Sequence, residues 1–255
     1  MAWNPETYNK FKSDRTIPFF DAMKLIVSKP QMEVLDLGCG TGELTAKLAE
    51  TLDHPKQVLG IDASAAMLKD SKSFENEILS FECKSIEKQL DSGKKWDLIF
   101  SNAAIQWVGN HEIVLPKIIS NLKPGGQMVI QMPSQTQNIA NILLNQLAEQ
   151  RPFGSVLNHW KRTSAVLNTD AYAKILFENG SRKMTVFEKI YPLILENFEA
   201  VYDFVSGSAL IPYLEKLPPE MHETFNDAFK KELKLQFPGS PAFYPFKRII
   251  FEAQF

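Results

Sequence analysis

The stretch "VLDLGCGTGELT" at residues 34–45 constrains the fold more than any other part of the chain. It joins an apolar run, three glycines and the start of a helical pattern, which is typical of the strand, turn and helix that open a nucleotide-binding α/β sheet. Gly38, Gly40 and Gly42 have the spacing G-x-G-x-G, whereas a dinucleotide site carries G-x-G-x-x-G. The stretch therefore predicts an open sheet with a ligand at the glycine turn.

Short apolar runs alternate with helical patterns as far as Met132. Strands are predicted at 32–37, 57–61, 79–83, 96–101 and 127–132, and helices at 17–27, at 42–52, from Ser64 and around 112–122. Because short buried strands that alternate with helices form βαβ units, this part predicts a parallel sheet covered by helices on both faces.

After Pro133 the pattern changes to helical segments at 138–149, 169–178 and 198–236, with a strand-like segment at 184–191 between them. The chain closes on "FKRIIFEAQF", an apolar run that suits a last strand. The predicted organisation is an N-terminal lid and lead-in helix at 1–30, a cofactor-binding core at 31–133, a helical cap at 134–183 and 192–245 with the intervening strand 184–191, and a closing strand at 246–255.

Charge and composition exclude several kinds of site. The 255 residues carry a formal net charge of −2, so no broad positive field would collect nucleic acid, and we expect no nucleic-acid partner. Cys39 and Cys83 are the only cysteines, and the four histidines lack a metal-binding spacing, which predicts that the chain holds no metal. No apolar run forms a signal sequence or reaches the ~18 residues of a membrane span, so we expect a cytoplasmic location and no membrane partner.

Acidic side chains around the glycine turn indicate what the ligand carries. Asp36 lies just before the turn and Glu43 begins the helix after it, and their charges favour a cationic ligand over a pyrophosphate. Asp62 ends the next strand, 20 residues after Gly42, where a carboxylate binds the two ribose hydroxyls of a nucleoside. The alternative for Asp62 is to cap the following helix, a role that Ser64 would fill equally well.

The same segments carry a family resemblance. The chain is similar to class I S-adenosylmethionine-dependent methyltransferases in "LDLGCGTG", "GID", "DLIFSNAAIQW" and "LKPGGQ". Within that family it resembles the trans-aconitate methyltransferases from end to end, in "WNPETYNKF", "RTIP", "QMP", "DFVSGSALIPYL" and "FKRIIFEA". The resemblance implies a Rossmann-like seven-stranded sheet with an antiparallel last strand and helical cap insertions. It also implies S-adenosylmethionine as cofactor and S-adenosylhomocysteine as its product.

The resemblance assigns cofactor contacts to particular residues. Gly38 and Gly40 would face the methionine part of the cofactor, with Asp36 near its ammonium and Asp62 on its ribose. Family members usually carry an acidic residue after the third strand, which accepts the exocyclic amine of adenine. This chain has Ser85 there, so a hydroxyl would replace a carboxylate and cofactor affinity would be lower than is typical.

Further family contacts lie after the fourth strand and near the N-terminus. Asn102 would lie at the mouth of the cofactor site, and Gln106 and Trp107 would position the acceptor beside the transferred methyl. The alternatives are that Asn102 caps a helix and that Trp107 packs in the core. An N-terminal segment would fold over the ligands, and its expected contacts are Trp3 with the substrate and Tyr8 and Arg15 with the cofactor. The planar guanidinium of Arg15 matches the geometry of the cofactor carboxylate. The alternative is that Arg15 is a solvated surface residue.

The lack of a nucleophile-and-base pattern in the sequence bears on the reaction that we expect. It shows no Ser-His-Asp or Cys-His pattern, and a carboxylate acceptor, already ionised near neutral pH, needs no general base. Such an enzyme contributes chiefly positioning and exclusion of water. We therefore predict a methyltransferase that methylates a carboxylate oxygen of a small-molecule acid, acting as a monomer or weak homodimer.

Two positions bear on the acceptor. Arg248 matches an arginine of the family and is a candidate anchor for a substrate carboxylate. The family's "GLRP" reads "ALIP" at 209–212, so Ile211 replaces a basic residue, which favours a trans-aconitate-like acid or one with less charge. Other basic residues are interpreted as surface charge, namely Arg151, Arg162, Arg182 and Lys183.

Alternatives remain at this stage. The malonyl-carrier-protein methyltransferases of biotin synthesis share a segment like "SNAAIQW". A regulatory protein that binds S-adenosylmethionine without catalysis would account for Ser85 and Ile211. A nucleic-acid methyltransferase is disfavoured, because "SNAA" stands where amino-methylating DNA enzymes carry a proline-containing motif, and a nicotinamide-dependent oxidoreductase ranks last.

Overall fold

A seven-stranded sheet forms within residues 12–255, the part of the chain that this computed structural model describes. Its order is β3-β2-β1-β4-β5-β7-β6, with strands β1 Glu33–Leu37, β2 Gln57–Asp62, β3 Leu79–Cys83, β4 Trp96–Asn102, β5 Leu122–Pro133, β6 Lys183–Leu195 and β7 Ala242–Gln254. Strands β1 to β5 pair in parallel, whereas β7 runs antiparallel to β5. The predicted seven-stranded sheet with an antiparallel last strand is confirmed.

Strand β1 lies at the point where the strand order changes direction. Its central residue Leu35 pairs with Leu59 of β2 on one side and with Ile99 of β4 on the other, and all three side chains are buried. Strands buried on both faces read as continuous apolar runs, which is why the pattern before Met132 located them. Ligands of open parallel sheets bind at the carboxyl ends of the strands, beside such a switch point.

Helices and single turns connect the strands. They are α1 Lys12–Met23, α2 Glu43–Thr51, a 3₁₀ helix at Met67–Phe74, α3 Ile86–Leu90, a 3₁₀ turn at Ile105–Trp107, α4 His111–Ser120, α5 Ile139–Glu149, α6 Phe153–Val156, α7 Thr169–Glu178, α8 Phe198–Val205, a π-helical turn at Ser206–Leu210, α9 Ile211–Leu214, a 3₁₀ turn at Pro219–Met221 and α10 His222–Gln236. Across the described residues, none of these helices combines the length and apolar character that a membrane crossing requires.

The chain divides into two compact units. The sheet unit consists of Pro18–Pro133, Ala165–Lys189 and Arg248–Phe255, and the helical unit of residues 12–17, Ser134–Ser164 and Ile190–Lys247.

The two units differ from the predicted organisation in one helix. Residues 165–183, assigned above to the cap, belong to the sheet unit. The reason is that α7 buries Tyr172, Ile175 and Leu176 in the same apolar cluster as Phe251 of β7. The Tyr172 ring stacks on that of Phe251 with 4.9 Å between centroids.

Several element bounds also differ from the expected ones. The first helix ends at Met23 rather than at 27, because the Gln127 side chain hydrogen-bonds to the carbonyl of Leu25 and to the N–H of Val27, both at 2.9 Å. The expected helical stretch at 198–236 is interrupted by the π-helical turn after α8 and by Pro218 and Pro219, which lack the N–H that a helix needs.

Aromatic side chains form the centre of the helical unit. Phe153 of α6 meets Phe225 of α10 edge to face, with ring centroids 4.8 Å apart. Tyr213 of α9 stacks on the same Phe225 ring at 5.8 Å. All three side chains are buried, so α6 shares one core with α9 and α10, which lie much further along the chain.

Candidate functional site

The glycine turn after β1 has a backbone that only glycine adopts without strain. Gly38, Gly40 and Gly42 have φ angles of +78°, +59° and +81°. A Cβ on Gly38 would lie 2.1 Å from the Cβ of Ala104, and one on Gly42 would lie 2.7 Å from the ring of Phe81. Backbone conformation therefore favours glycine at all three positions, and the space available also requires it at 38 and 42, whereas a Cβ on Gly40 would come no closer than 3.4 Å to a side-chain atom of Met67.

Asp62, at the end of β2, stabilises this turn through hydrogen bonds to backbone N–H groups. Its Oδ2 accepts a hydrogen bond from the N–H of Gly40 at 3.0 Å, and its Oδ1 accepts one from the N–H of Ser64 at 2.8 Å. A carboxylate has about four acceptor sites, so two such bonds leave capacity for the hydroxyls of a ribose. Neither bond caps the following helix, which begins at Met67, and it is the Ser64 hydroxyl that accepts from the N–H of Met67 at 3.3 Å, so the capping alternative for Asp62 is wrong. Ribose binding stays a prediction.

Asp36, within β1, is a buried carboxyl group with one oxygen unsatisfied. Its Oδ2 accepts a hydrogen bond from the Thr45 hydroxyl at 2.6 Å, whereas no described residue donates to Oδ1. Burial, with a smaller contribution from the nearby charge of Asp62, raises the pKa of Asp36 to about 7, although the hydrogen bond from Thr45 opposes the shift. A buried acceptor without a donor costs free energy. A cationic ligand would satisfy this oxygen, which agrees with the predicted ammonium contact.

Cys39, between the first two glycines, is not a nucleophile. Its side chain is buried, and this burial together with the charges of Asp36 and Asp62 raises the pKa of the thiol far above its usual value. The group therefore stays protonated, and Cys39 acts as a small residue that fills the turn.

Ser85, between β3 and α3, caps a helix. Its hydroxyl oxygen accepts a hydrogen bond from the N–H of Lys88 at 3.3 Å. The oxygen keeps a second acceptor site, and the half-buried side chain follows β3 as the resemblance requires. Contact with the adenine amine stays a prediction.

The end of β4 and the turn that follows it hold three of the predicted site residues. Gln106 is buried, and its Nε2 donates to the carbonyl oxygen of Ala103 at 2.7 Å, whereas its Oε1 accepts no hydrogen bond from the described residues. Trp107 is 61% exposed, so the core alternative for this residue is wrong. Asn102 does not cap a helix, because its Oδ1 accepts a hydrogen bond at 2.5 Å from Nε2 of Gln131.

Gln131 links two of these predicted residues. Its Oε1 accepts a hydrogen bond from Nη1 of Arg248 at 3.3 Å, so Asn102, Gln131 and Arg248 form a chain across β4, β5 and β7. Gln131 and Arg248 are both buried. Sequence reasoning quoted "QMP" only as a mark of the family and missed the role of its glutamine, since the partners lie 29 and 117 residues away.

A second missed residue is His111, the first residue of α4. Its Nε2 lies 2.9 Å from the carbonyl oxygen of Ile105, and its Nδ1 lies 2.6 Å from the Tyr172 hydroxyl. Burial lowers the pKa of His111, which favours the neutral ring. A carbonyl accepts only, so Nε2 carries the proton and Nδ1 accepts from Tyr172. His111 thereby holds the turn that contains Gln106 and Trp107.

Other predicted residues belong to the helical unit. Arg15 donates from Nη2 to the carbonyl oxygen of Phe204 at 2.7 Å, and its guanidinium carbon lies 4.4 Å from the centre of the Phe204 ring. It is half-buried, so it is not a solvated surface arginine. Ile211 is half-buried at the start of α9. The predictions for Trp3 and Tyr8 lie outside the described residues.

The parallel strands bring the predicted cofactor contacts to one edge of the sheet. Because β3, β2, β1 and β4 are parallel neighbours, the residues that follow their carboxyl ends share that edge, and these are Ser85, Asp62, the glycine turn and Asn102. The unsatisfied oxygen of Asp36 fits a ligand that carries a cation. Over residues 12–255, no group of three or more His, Cys, Asp or Glu side chains is placed to hold a metal ion.

Comparisons with known proteins agree with this geometry. A family model described as "Methyltransferase domain" matches residues 28–189. A trans-aconitate 2-methyltransferase from Deinococcus radiodurans is 36% identical, over 99% of this chain and 98% of its own length. One from Paracidovorax citrulli is 29% identical, over 92% and 90% of the two chains.

The solved structures include a similar fold. The YcgJ protein from Bacillus subtilis superimposes with a TM-score of 0.60 at 15% identity, over 93% of this chain and 97% of that one, which supports the fold alone. The family model and the Deinococcus relative go further, because one covers more than half of the chain and the other nearly all of it. The chain belongs to the class I S-adenosylmethionine-dependent methyltransferases.

Proposed function

We propose that this methyltransferase methylates a carboxylate oxygen of a small-molecule acid. The observation that carries the proposal is the absence of a general base in the described segment after β4. Asn102 and Gln106 are neutral amides, and both ring nitrogens of His111 are engaged, one with Ile105 and one with Tyr172. An acceptor that is already ionised needs no base, and a carboxylate is ionised near neutral pH.

The residues present would hold the cofactor by complementary groups. The unsatisfied Oδ1 of Asp36 would accept a hydrogen bond from the cofactor ammonium, and Asp62 would fix the ribose through its remaining lone pairs. Gly38 and Gly40 would let the methionine part approach the backbone. When bound, S-adenosylmethionine supplies an activated methyl group on a sulfonium, which a carboxylate oxygen accepts without loss of a proton.

The finer proposal concerns the acid. Full-length relatives carry the name trans-aconitate 2-methyltransferase, and the buried Arg248 matches an arginine of that family. Ile211 stands where the family carries a basic residue, so a tricarboxylate would lose one cationic partner. We expect the chain to accept trans-aconitate or an acid with fewer charges.

The test is an acceptor screen with S-adenosylmethionine labelled in its methyl group. Trans-aconitate, other tricarboxylates, dicarboxylates and aliphatic monocarboxylates are each incubated with the protein, and base-labile label is counted. We expect a methyl ester with at least one acid. Binding of S-adenosylhomocysteine without transfer to any acid would contradict the proposal and favour a non-catalytic protein, whereas transfer only to malonyl-carrier protein would favour the role in biotin synthesis.

A further inference from the structure

Three polar side chains of the sheet unit form a directed series of hydrogen bonds. Arg248 of β7 donates from Nη1 to Oε1 of Gln131 at 3.3 Å, and Nε2 of Gln131 donates to Oδ1 of Asn102 at 2.5 Å. Gln131 is 1% exposed and Arg248 is 6% exposed, so these two side chains are shielded from water. Asn102, at the end of β4, is half-buried and therefore accessible to a ligand.

The arginine fixes which way both amides point. A guanidinium only donates, so the Gln131 atom that meets Arg248 is the amide oxygen, and its NH₂ group meets Asn102. The Asn102 atom that receives this NH₂ group is therefore Oδ1, which leaves Nδ2 as the other end of the side chain. Nδ2 of Asn102 donates to none of the residues at 12–255. The series thus ends in an unused donor.

The charge of Arg248 makes this donor suited to an anion. An arginine stays charged in proteins, and hydrogen bonds in series polarise one another where water is excluded. The positive charge at one end of the series therefore strengthens the donor at the other end. A strengthened donor favours an anionic oxygen, because hydrogen bonds with an ionised partner are the stronger ones.

The position of Asn102 indicates which anion it meets. The register of β1 and β4 pairs Asp36 with Phe100, so two residues further on Asn102 is level with Gly38. A Cβ on Gly38 would lie 2.1 Å from that of Ala104, which places the turn after β4 against the glycine turn. The methionine part of the cofactor is expected at the glycine turn, and the anionic group of an amino acid is its carboxylate.

We propose that Asn102 binds a carboxylate oxygen of a ligand through Nδ2, and that Gln131 and Arg248 are positioning residues that hold its amide in this direction. The carboxylate belongs either to the amino-acid part of the cofactor or to the acid that receives the methyl group. Only the second source rests on the proposed function. Arg248 then acts on the ligand through two other side chains.

The first experiment titrates two ligands by calorimetry. S-adenosylhomocysteine carries the amino-acid part, whereas 5′-methylthioadenosine keeps the adenosine and the sulfur without it. Asn102→Asp replaces Nδ2 by an oxygen and keeps the acceptor for Gln131. We expect this variant to bind S-adenosylhomocysteine roughly 10- to 100-fold more weakly and methylthioadenosine within about twofold of the unmodified protein.

Asn76→Asp is the matched control, because it introduces the same charge at the other edge of the same sheet. Asn76 precedes β3, and its Oδ1 accepts hydrogen bonds from the N–H groups of Ile78 and Leu79, both at 3.0 Å, which an aspartate also accepts. We expect it to leave the affinity for both ligands within about twofold. An equal loss for both ligands in Asn102→Asp would show a structural defect and overturn the inference.

Two variants of Gln131 test the positioning role. Gln131→Glu offers only acceptors to Arg248 and Asn102, so the Asn102 amide must turn and present Oδ1 to the ligand. Gln131→Met removes both hydrogen bonds and releases the amide. We expect affinity for S-adenosylhomocysteine to fall roughly tenfold or more in Gln131→Glu and roughly three- to tenfold in Gln131→Met, with methylthioadenosine unaffected. Parallel losses for both ligands would contradict positioning through Asn102.

A second titration distinguishes the two sources of the carboxylate. Tricarballylate is titrated with S-adenosylhomocysteine present, and its trimethyl ester is the uncharged control. A loss confined to tricarballylate in Asn102→Asp assigns the donor to the acceptor acid, and a loss confined to S-adenosylhomocysteine assigns it to the cofactor. Unchanged affinity for both would overturn the inference. Both titrations measure binding alone, so a failure to methylate any acid contradicts only the proposed function.

Folding of each variant is checked by circular dichroism and thermal unfolding. If Asn102→Asp does not fold, Asn102→Ala replaces it, since it removes the donor from a half-buried position without adding charge. We expect a loss of roughly three- to tenfold for the ligand that carries the carboxylate. Affinities of Asn102→Ala equal to those of the unmodified protein for both carboxylate ligands would overturn the inference.

Discussion

At the scale of single residues, Asp36 has an unfavourable electrostatic environment within the proposed cofactor site. Its carboxyl group is buried, one of its oxygens has no donor among the described residues, and burial raises its pKa to about 7. Such a group is costly in the unliganded protein, because its charged form is poorly solvated. Costs of this kind persist at sites where a ligand offsets them.

This pKa predicts how cofactor affinity depends on pH. Below about pH 7 Asp36 binds a proton, which a cofactor ammonium must displace. Affinity for S-adenosylhomocysteine should therefore fall as pH drops from 7 to 5, by at most roughly tenfold per pH unit. Isothermal titration in this range measures the slope, and Asp36→Asn should bind more weakly with a flat profile. Equal slopes in the two proteins would show that Asp36 does not meet the ammonium.

Gly38 allows a second prediction with a matched control. Gly38 and Gly93 both have positive φ, at +78° and +71°, but a Cβ at Gly38 would clash with Ala104 while one at Gly93 meets nothing within 4 Å. Gly93→Ala should therefore lower the free energy of unfolding by only ~1–2 kcal/mol, the cost of the left-handed backbone. Gly38→Ala should lower it further and abolish binding of S-adenosylhomocysteine, measured by urea unfolding and titration. Equal behaviour of the two variants would contradict the steric role of Gly38.

At the scale of elements, the sequence was sufficient to predict the arrangement of residues that lie within one short segment. The glycine turn, Asp36 and Asp62 all lie within one βαβ unit, and its apolar runs and glycine spacing specify their arrangement. The contacts that hold the segment after β4 come from far along the chain. His111 meets Tyr172 across 61 residues, and no periodic pattern encodes such a pair.

His111 predicts a pH effect on stability. Folding lowers its pKa, so His111 stabilises the folded state above the ordinary pKa near 6.5, and this contribution is lost as pH falls below that value. His111→Phe should lower the free energy of unfolding by about 2–4 kcal/mol at pH 8, because Ile105 and Tyr172 both lose a partner. The difference from the unmodified protein should shrink towards pH 5 in urea titrations.

The control for this prediction is Tyr172→Phe. It removes the hydroxyl that bonds to His111 and keeps the ring that stacks on Phe251. It should cost about 1–2 kcal/mol, less than His111→Phe. A difference between His111→Phe and the unmodified protein that stays constant from pH 8 to 5 would rule out the neutral, doubly bonded ring.

The predicted bounds of helices were wrong where a tertiary contact or a proline ends a helix although the periodic apolar pattern continues. The apolar spacing at 198–236 continues through Ser206–Leu210 and the prolines at 218 and 219, so it predicted one helical stretch where several elements form. The early end of α1 depends on Gln127, about a hundred residues away in sequence. Neither effect is visible in a local window.

At the scale of the whole molecule, the fold class and the cofactor could be predicted because both depend on one contiguous motif and on strand alternation. The acceptor could not, because its recognition depends on side chains that scattered segments supply. The environment of a single charged residue could not be predicted either, because nothing in the sequence around Arg162 distinguishes it from Arg151, yet of the two only Arg162 lines a polar cavity.

Transfer of a methyl group from S-adenosylmethionine to a carboxylate oxygen is the central claim. The most direct measurement uses S-adenosylmethionine with a ¹³C-methyl group and follows the reaction with trans-aconitate and the other acids by NMR. We predict a new ¹³C resonance of a methyl ester, which disappears after mild base. A protein that binds S-adenosylhomocysteine with the expected pH dependence but yields no methyl ester with any acid, or yields only nitrogen- or sulfur-bound methyl groups, would contradict the claim.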